Sequence, residues 1–217
     1  MTEAARTPLA GHVHRDAIGA RIGMWLFLFT EILLFGGLFL LYAVYRSKFL
    51  GDFQFSAGEL DTFMGAINTA VLLTSSLTMV LAVASLEKKN RKIASIFLSV
   101  TIFLGVVFFI NKYFEWSAKF AHGLYPNSEV LQYHTAGENI FYSLYYLMTG
   151  LHGLHVVIGI VILSIMLFLV SRKTGKTGTA AEVELEGLHI KIENSGLYWH
   201  LVDIIWIFLF PLFYLIT

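Results

Sequence analysis

"GLHGLHVVIGIVILSIMLFLV", residues 150–170, runs for 21 positions without a charged side chain. About 20 such residues carry a helix across the ~30 Å hydrocarbon core of a bilayer. The run is too long for a membrane β-strand and lacks its alternation of apolar and polar positions. Working outward, comparable stretches recur along the chain, and the whole reads as five transmembrane helices at about 17–46, 61–87, 91–120, 138–171 and 191–216. Between them lie "GDFQFSAGELD", "EKKNRK", "HGLYPNSEVLQYHTAGEN" and "SRKTGKTGTAAEVELEG", all carrying turn formers or charge. The expected fold class is all-α: a polytopic membrane protein with a polar N-terminal arm (1–16) and one five-helix domain (17–217). The arm has no apolar core, so it does not read as a secretory signal.

Composition agrees. Of 217 residues 57% are hydrophobic and only 14% charged, with a mean hydropathy of +0.70, against roughly 45–50% apolar content in soluble domains. Fifteen basic and fifteen acidic residues cancel, which leaves no basic field for nucleic acid. The absence of cysteine removes thiolate metal sites, iron–sulfur clusters and disulfides, so any metal would need His, carboxylate or Met.

Lys and Arg are unevenly divided between the two ends of the spans. The arm, the second and fourth connections and the span ends that adjoin them carry eleven, among them Arg21, Lys88, Arg172 and Lys191, whereas the other side carries Arg46, Lys48, Lys112 and Lys119. Positive charge stays cytoplasmic. The N-terminus is therefore expected in the cytoplasm and, with an odd number of spans, the C-terminus outside.

Polar residues at membrane depth are the candidate functional positions. Glu31 lies ten residues past Arg21, about 15 Å along a helix and near the midplane. Ionised at a helix centre, an acid costs about 2.5–3.5 kcal/mol, so Glu31 is expected to be neutral and hydrogen-bonded or to belong to a proton path. His200 and Asp203 share a face at i, i+3 and reach similar depth; that face is expected to pack against the fourth span, with His200 or Asp203 within hydrogen-bonding reach of a polar partner inside the five-helix bundle. Trp199 and Trp206, seven apart, read as packing residues, and Asn68, Ser75 and Thr78 form a stripe suited to bonding a neighbouring helix. His152 and His155 are one turn apart on one helix, so they cannot clamp a haem from opposite faces. They are expected to be buried hydrogen-bonding groups, with Gly150, Gly153 and Gly159 letting another backbone come close.

The strings "RIGMWLFLFTEILLF" (21–35), "NTAVLLTSSLTM" (68–79), "TGLHGLHVVIG" (149–159) and "ENSGLYWHLVDIIWIFLF" (193–210) together resemble subunit III of the haem–copper oxidases, of the cytochrome c oxidase type. A weaker likeness in "YFEW" (113–116) brings in Glu115. The resemblance implies a core oxidase subunit without a redox centre. It would pack against catalytic subunit I, beside subunit II and small subunits, and support assembly, stability and proton uptake during oxygen reduction in a bacterial inner membrane. The family's carbodiimide-reactive carboxylate falls on Glu31, its paired histidines on His152 and His155, and its terminal motif on Glu193, Trp199, His200 and Asp203. Phospholipid between the helices is also implied, while haems and copper are expected in partner subunits and no metal or cofactor in this chain. Longer relatives have seven helices; this chain resembles the five-helix bacterial form and begins at the equivalent of the third.

Within the family, a quinol oxidase subunit or a nitric oxide reductase accessory protein is the alternative reading. From other classes come a haem-bearing membrane anchor, disfavoured by the histidine geometry, and a proton-linked transporter using Glu31 and Asp203. The latter is expected to show repeats or broken helices, yet only Pro211 falls in a span.

Overall fold

The computed structural model describes residues 8–126, 128–172 and 179–216. Among them there are seven helices: α1 (Pro8–Lys48), α2 (Leu50–Gly58), α3 (Thr62–Glu87), α4 (Arg91–Ala121), α5 (Glu129–Gln132), α6 (Ala136–Ser171) and α7 (Thr179–Tyr214). Five are long and apolar enough to cross a membrane, over Ile18–Lys48, Thr62–Glu87, Arg91–Ala121, Ala136–Ser171 and Glu184–Tyr214. The chain is thus a multi-pass helical membrane protein.

Helix ends follow local chemistry. Asp61 caps α3 by accepting from the Met64 amide at 3.0 Å, and Thr135 caps α6 by accepting from the Glu138 amide at 3.3 Å. The α3–α4 turn is three residues long, between Glu87 and Arg91. Lys89 adopts φ 58°, its amide bonds the Leu86 carbonyl, and the Asn90 amide reaches back to Ser85, the paired bonds that close a helix in the left-handed conformation. Asn90 then caps α4 by accepting from the Ile93 amide. Gly123, with φ 71°, ends α4 in the same way.

Three boundaries differ from the sequence reading. The stretch after the first span, read as a connection, contains α2, because Phe53 is fully buried against Tyr42 and Phe141, each ring 5.4 Å away. Helix α7 starts at Thr179 rather than 191, since "TAAEVELEG" is charged but rich in good helix formers. Helix α1 starts at Pro8, a residue suited to a first helical turn, so the arm is helical through its second half; residues 1–7 lie outside those described.

Helices α3, α4, α6 and α7 close a ring in which each packs on two others. Helix α1 lies outside it, along α6 and α7, and α2 tucks against α6. Helix α7 therefore faces protein on two sides, which is why Trp199, Val202, Trp206, Leu209 and Phe213 are all buried.

Candidate functional site

The polar residues at depth hold the helices to one another. Glu31 on α1 meets His155 on α6: Oε2 lies 2.8 Å from Nε2. The other ring nitrogen, Nδ1, lies 2.8 Å from the Leu151 carbonyl oxygen one turn back on α6. A carbonyl can only accept, so Nδ1 carries its hydrogen and Nε2 is the nitrogen that answers Glu31. Two arrangements satisfy that contact. Either neutral Glu31 donates to Nε2, or an imidazolium donates to the carboxylate. Both have no net charge and differ by the transfer of one proton over one hydrogen bond, which is how an acid is tolerated at this depth. The side chains are 13% and 10% exposed. Phe35 sits edge-on to the imidazole, 5.4 Å away, and Tyr198 donates to the His155 carbonyl at 2.9 Å, tying α7 to the same turn.

His152, three residues earlier, turns instead into the ring. It is fully buried between Phe108 and Trp206, centroids 5.6 and 5.2 Å away, and among the described residues neither of its nitrogens finds a hydrogen-bond partner. The expectation of two hydrogen-bonded imidazoles on one face is thus corrected. One turn of separation in sequence is enough to aim His155 at α1 and His152 at α4 and α7.

A second cluster lies near one end of the ring. Lys112 Nζ donates to Glu115 Oε2 at 3.1 Å, Tyr145 Oη at 3.2 Å and Tyr214 Oη at 2.7 Å. Tyr145 donates to Glu115 Oε1 at 2.5 Å, and the Tyr214 hydroxyl bonds the same oxygen. All three ammonium donors are engaged, and the group joins α4, α6 and α7. Sequence reading picked out Glu115 but counted Lys112 among the charges outside the membrane; its burial removes it from that tally. An i, i+3 Lys–Glu pair inside an apolar run was the available signal.

The rest of the polar set points at α3. Asn68 accepts from Asn111 at 2.9 Å, Thr78 and Thr101 share a 2.8 Å bond, and Ser75 accepts from the Trp199 indole at 3.0 Å. Trp206 donates to Thr69 at 3.1 Å, so both tryptophans bond as well as pack. His200 Nδ1 lies 2.6 Å from Ser76 Oγ. The polar partner expected inside the bundle is thus Ser76 on α3, and the face packs on the second span rather than the fourth because it closes the ring against α3. Asp203 is 3% exposed, and among the described residues neither of its oxygens has a hydrogen-bond partner. Glu193, expected among the buried polar groups, is instead partly exposed, at 36%, where it pairs with Arg21 at 2.9 Å.

Of the three glycines, only Gly159 makes a close approach, and to a ring rather than a backbone: a β-carbon there would lie 2.8 Å from the Trp199 indole. At Gly150 and Gly153 the nearest atoms, on Trp116 and Phe109, would be 3.5 and 3.6 Å away. Those two open onto a groove.

A ring of four membrane helices with a fifth alongside, tied by paired polar groups at depth, defines a polytopic α-helical membrane subunit; among the described residues no three His, Asp or Glu side chains converge as metal ligands. The sequence profile of "Cytochrome c oxidase subunit III" matches residues 3–217, and the chain belongs to that family. It is 34% identical over 217 residues to cytochrome c oxidase subunit 3 of Alkalihalophilus pseudofirmus, covering 95% of this chain and 93% of the relative. Subunit 3 of Thermostichus vulcanus is 30% identical over 206 residues, covering 95% and 92%. A heme-copper oxidase subunit I+III of Aeropyrum pernix is 32% identical over 202 residues, 90% of this chain but 22% of that longer protein.

Proposed function

We propose that this chain is the subunit III of a proton-pumping terminal oxidase of the cytochrome c oxidase type, in a bacterial inner membrane. It lies against the haem- and copper-bearing subunit I, with subunit II and small subunits in the same complex. It carries no redox centre, and electrons bypass it. Its contribution is to assembly, stability and proton uptake of the catalytic subunit.

One observation of this chain supports the non-redox role: most of its intramembrane polar groups, His152 and Asp203 excepted, are engaged with one another. His155 is held by Glu31 and Leu151, His200 by Ser76, and Lys112 by Glu115 and two tyrosines. The fusion named subunit I+III in Aeropyrum pernix supports proximity to subunit I. Within this role the Glu31–His155 pair is the group suited to hold a proton, since it accommodates the transfer without net charge.

The test is a Glu31→Gln variant in the assembled complex. Oxygen reduction is expected to persist, with its loss confined to proton uptake or to endurance over repeated turnover. Abolished steady-state turnover in a fully assembled complex would show that the chain acts in the chemistry itself.

A further inference from the structure

At the seam of α3 and α7 one polar group looks outward. The two helices approach closely where a β-carbon at Gly196 would lie 3.3 Å from the Met79 side chain, and one turn further on Ser76 meets His200, Oγ to Nδ1 at 2.6 Å. Ser76 differs from its neighbours. Thr74, Ser75 and Thr78 give their hydroxyls to backbone carbonyls of α3 at 2.7–2.8 Å, whereas Ser76 turns its hydroxyl to the imidazole. Ser76 therefore donates to Nδ1, and the ring hydrogen sits on Nε2. The His200 side chain is partly exposed. Among the described residues Nε2 has no partner, yet it is not one of the nitrogens sealed inside the chain. An N–H donor thus faces out of the bundle.

It does so at mid-depth. His200 lies between Glu184 and Tyr214, the ends of its span, about 24 Å from the first and about 21 Å from the second at 1.5 Å per residue. Around it the surface is apolar and regular. Leu197, His200, Ile204, Ile207 and Pro211 follow one another at alternating spacings of three and four, the repeat of a seam along which a second helix lies. Ile204 and Ile207 are 48% and 42% exposed, and Leu73 and Val80, one turn to either side of Ser76 on α3, are both 49% exposed. Hydrocarbon cannot answer an N–H, and a donor left unmet in it is costly; histidines at this depth turn to protein. A lipid tail does not complete such a face. A helix does, and because its backbone carbonyls already accept from its own amides, the acceptor it brings is a side-chain oxygen.

We propose that the furrow between α3 and α7 docks a transmembrane helix of subunit I that presents a hydroxyl, amide or carboxyl oxygen to His200 Nε2; the choice of subunit I rests on the function proposed above. His200 then joins two chains through one ring, with Nδ1 held by Ser76 on α3 and Nε2 by the partner. The acceptor is a specificity element as well as a bond, since a partner helix without it would bury an unanswered donor.

The test uses the intact complex in its native membrane, with a benzophenone amino acid in place of Ile204 or Leu73. After irradiation, adducts are purified through a tag on this chain and identified by mass spectrometry. Both positions are expected to capture subunit I, on a helix with a side-chain oxygen within one turn of the captured residue. Retention in mild detergent separates this contact from a role inside the chain. His200→Phe keeps a ring but loses the Nε2 hydrogen, and is expected to lower several-fold the amount of this chain retained with the haem-bearing subunit; Ser76→Ala removes the internal bond alone and is expected to leave retention unchanged. The crosslinking arm keeps His200 and stands where the phenylalanine variant does not fold. Adducts with lipid alone, or with a chain other than subunit I, in a preparation that holds haem and consumes oxygen would overturn the proposal, as would equal retention of His200→Phe and Ser76→Ala. A preparation without subunit I would overturn the function proposed above, and this docking face with it.

Discussion

Replacing His155 by leucine keeps an apolar side chain of similar bulk in the α1–α6 contact but takes away the acceptor 2.8 Å from Glu31 Oε2. Glu31, 13% exposed, is then left as an acid without a partner at membrane depth. The loss comprises one strong hydrogen bond and the desolvation of a group that cannot turn to water, about 1–3 kcal/mol. The reciprocal Glu31→Leu leaves Nε2 unanswered and is expected to cost a similar amount. The double variant removes both polar groups together, and replacing both partners with apolar groups is close to neutral. A double-mutant cycle should therefore give a coupling energy of about 1–3 kcal/mol, with the double variant more stable than either single one. The assay is unfolding of the purified chain in mixed micelles, followed by the ellipticity of its helices. Additive single effects, with the double variant the least stable of the four, would refute the proton-sharing pair.

Other consequences follow from named contacts. Lys112→Met strands Glu115 among two tyrosines and is expected to destabilise by about 3–5 kcal/mol, whereas Lys112→Met with Glu115→Leu recovers most of that; the same unfolding assay reads both. Gly159→Val drives side-chain atoms into the Trp199 ring and should lower the yield of assembled complex, while Gly150→Ala, whose β-carbon would meet Trp116 in ordinary contact at 3.5 Å, should leave it unchanged on a native gel. His200→Leu breaks the bond to Ser76 and is expected to lower stability by roughly 0.5–1.5 kcal/mol; Asp203→Leu removes a carboxyl that has no bond to lose and is expected to do less harm in the same measurement.

The spans were legible because hydrocarbon thickness sets a minimum length and excludes charge, constraints visible in runs such as 150–170. The short α2 was not, since its burial depends on Tyr42 and Phe141 from elements distant in sequence. The α3 stripe could be read as a bonding face from Asn68, Ser75 and Thr78 alone, but its partners could not. Glu31 stood out by depth, yet nothing in the spacing of 31 and 155 links them; their contact depends on α1 lying along α6. In the same way His152 and His155 looked like one unit, and only the positions of α1, α4 and α7 separate a bonded imidazole from an unbonded one. Lys112 was misread because a lysine near a span end usually reaches water, and the two tyrosines that hold it come from other helices.

The central claim is that this chain is a non-redox subunit of a haem–copper oxidase, and purification of the tagged chain from its native membrane in mild detergent tests it most directly, with co-purifying chains identified and an absorption spectrum taken before and after the partners are stripped away. The account predicts a haem- and copper-bearing subunit I with oxygen-reducing activity in the first spectrum and no Soret band from the chain alone in the second. A chain that purifies without oxidase subunits, or that keeps a stoichiometric Soret band by itself and loses it in His155→Ala, would contradict it.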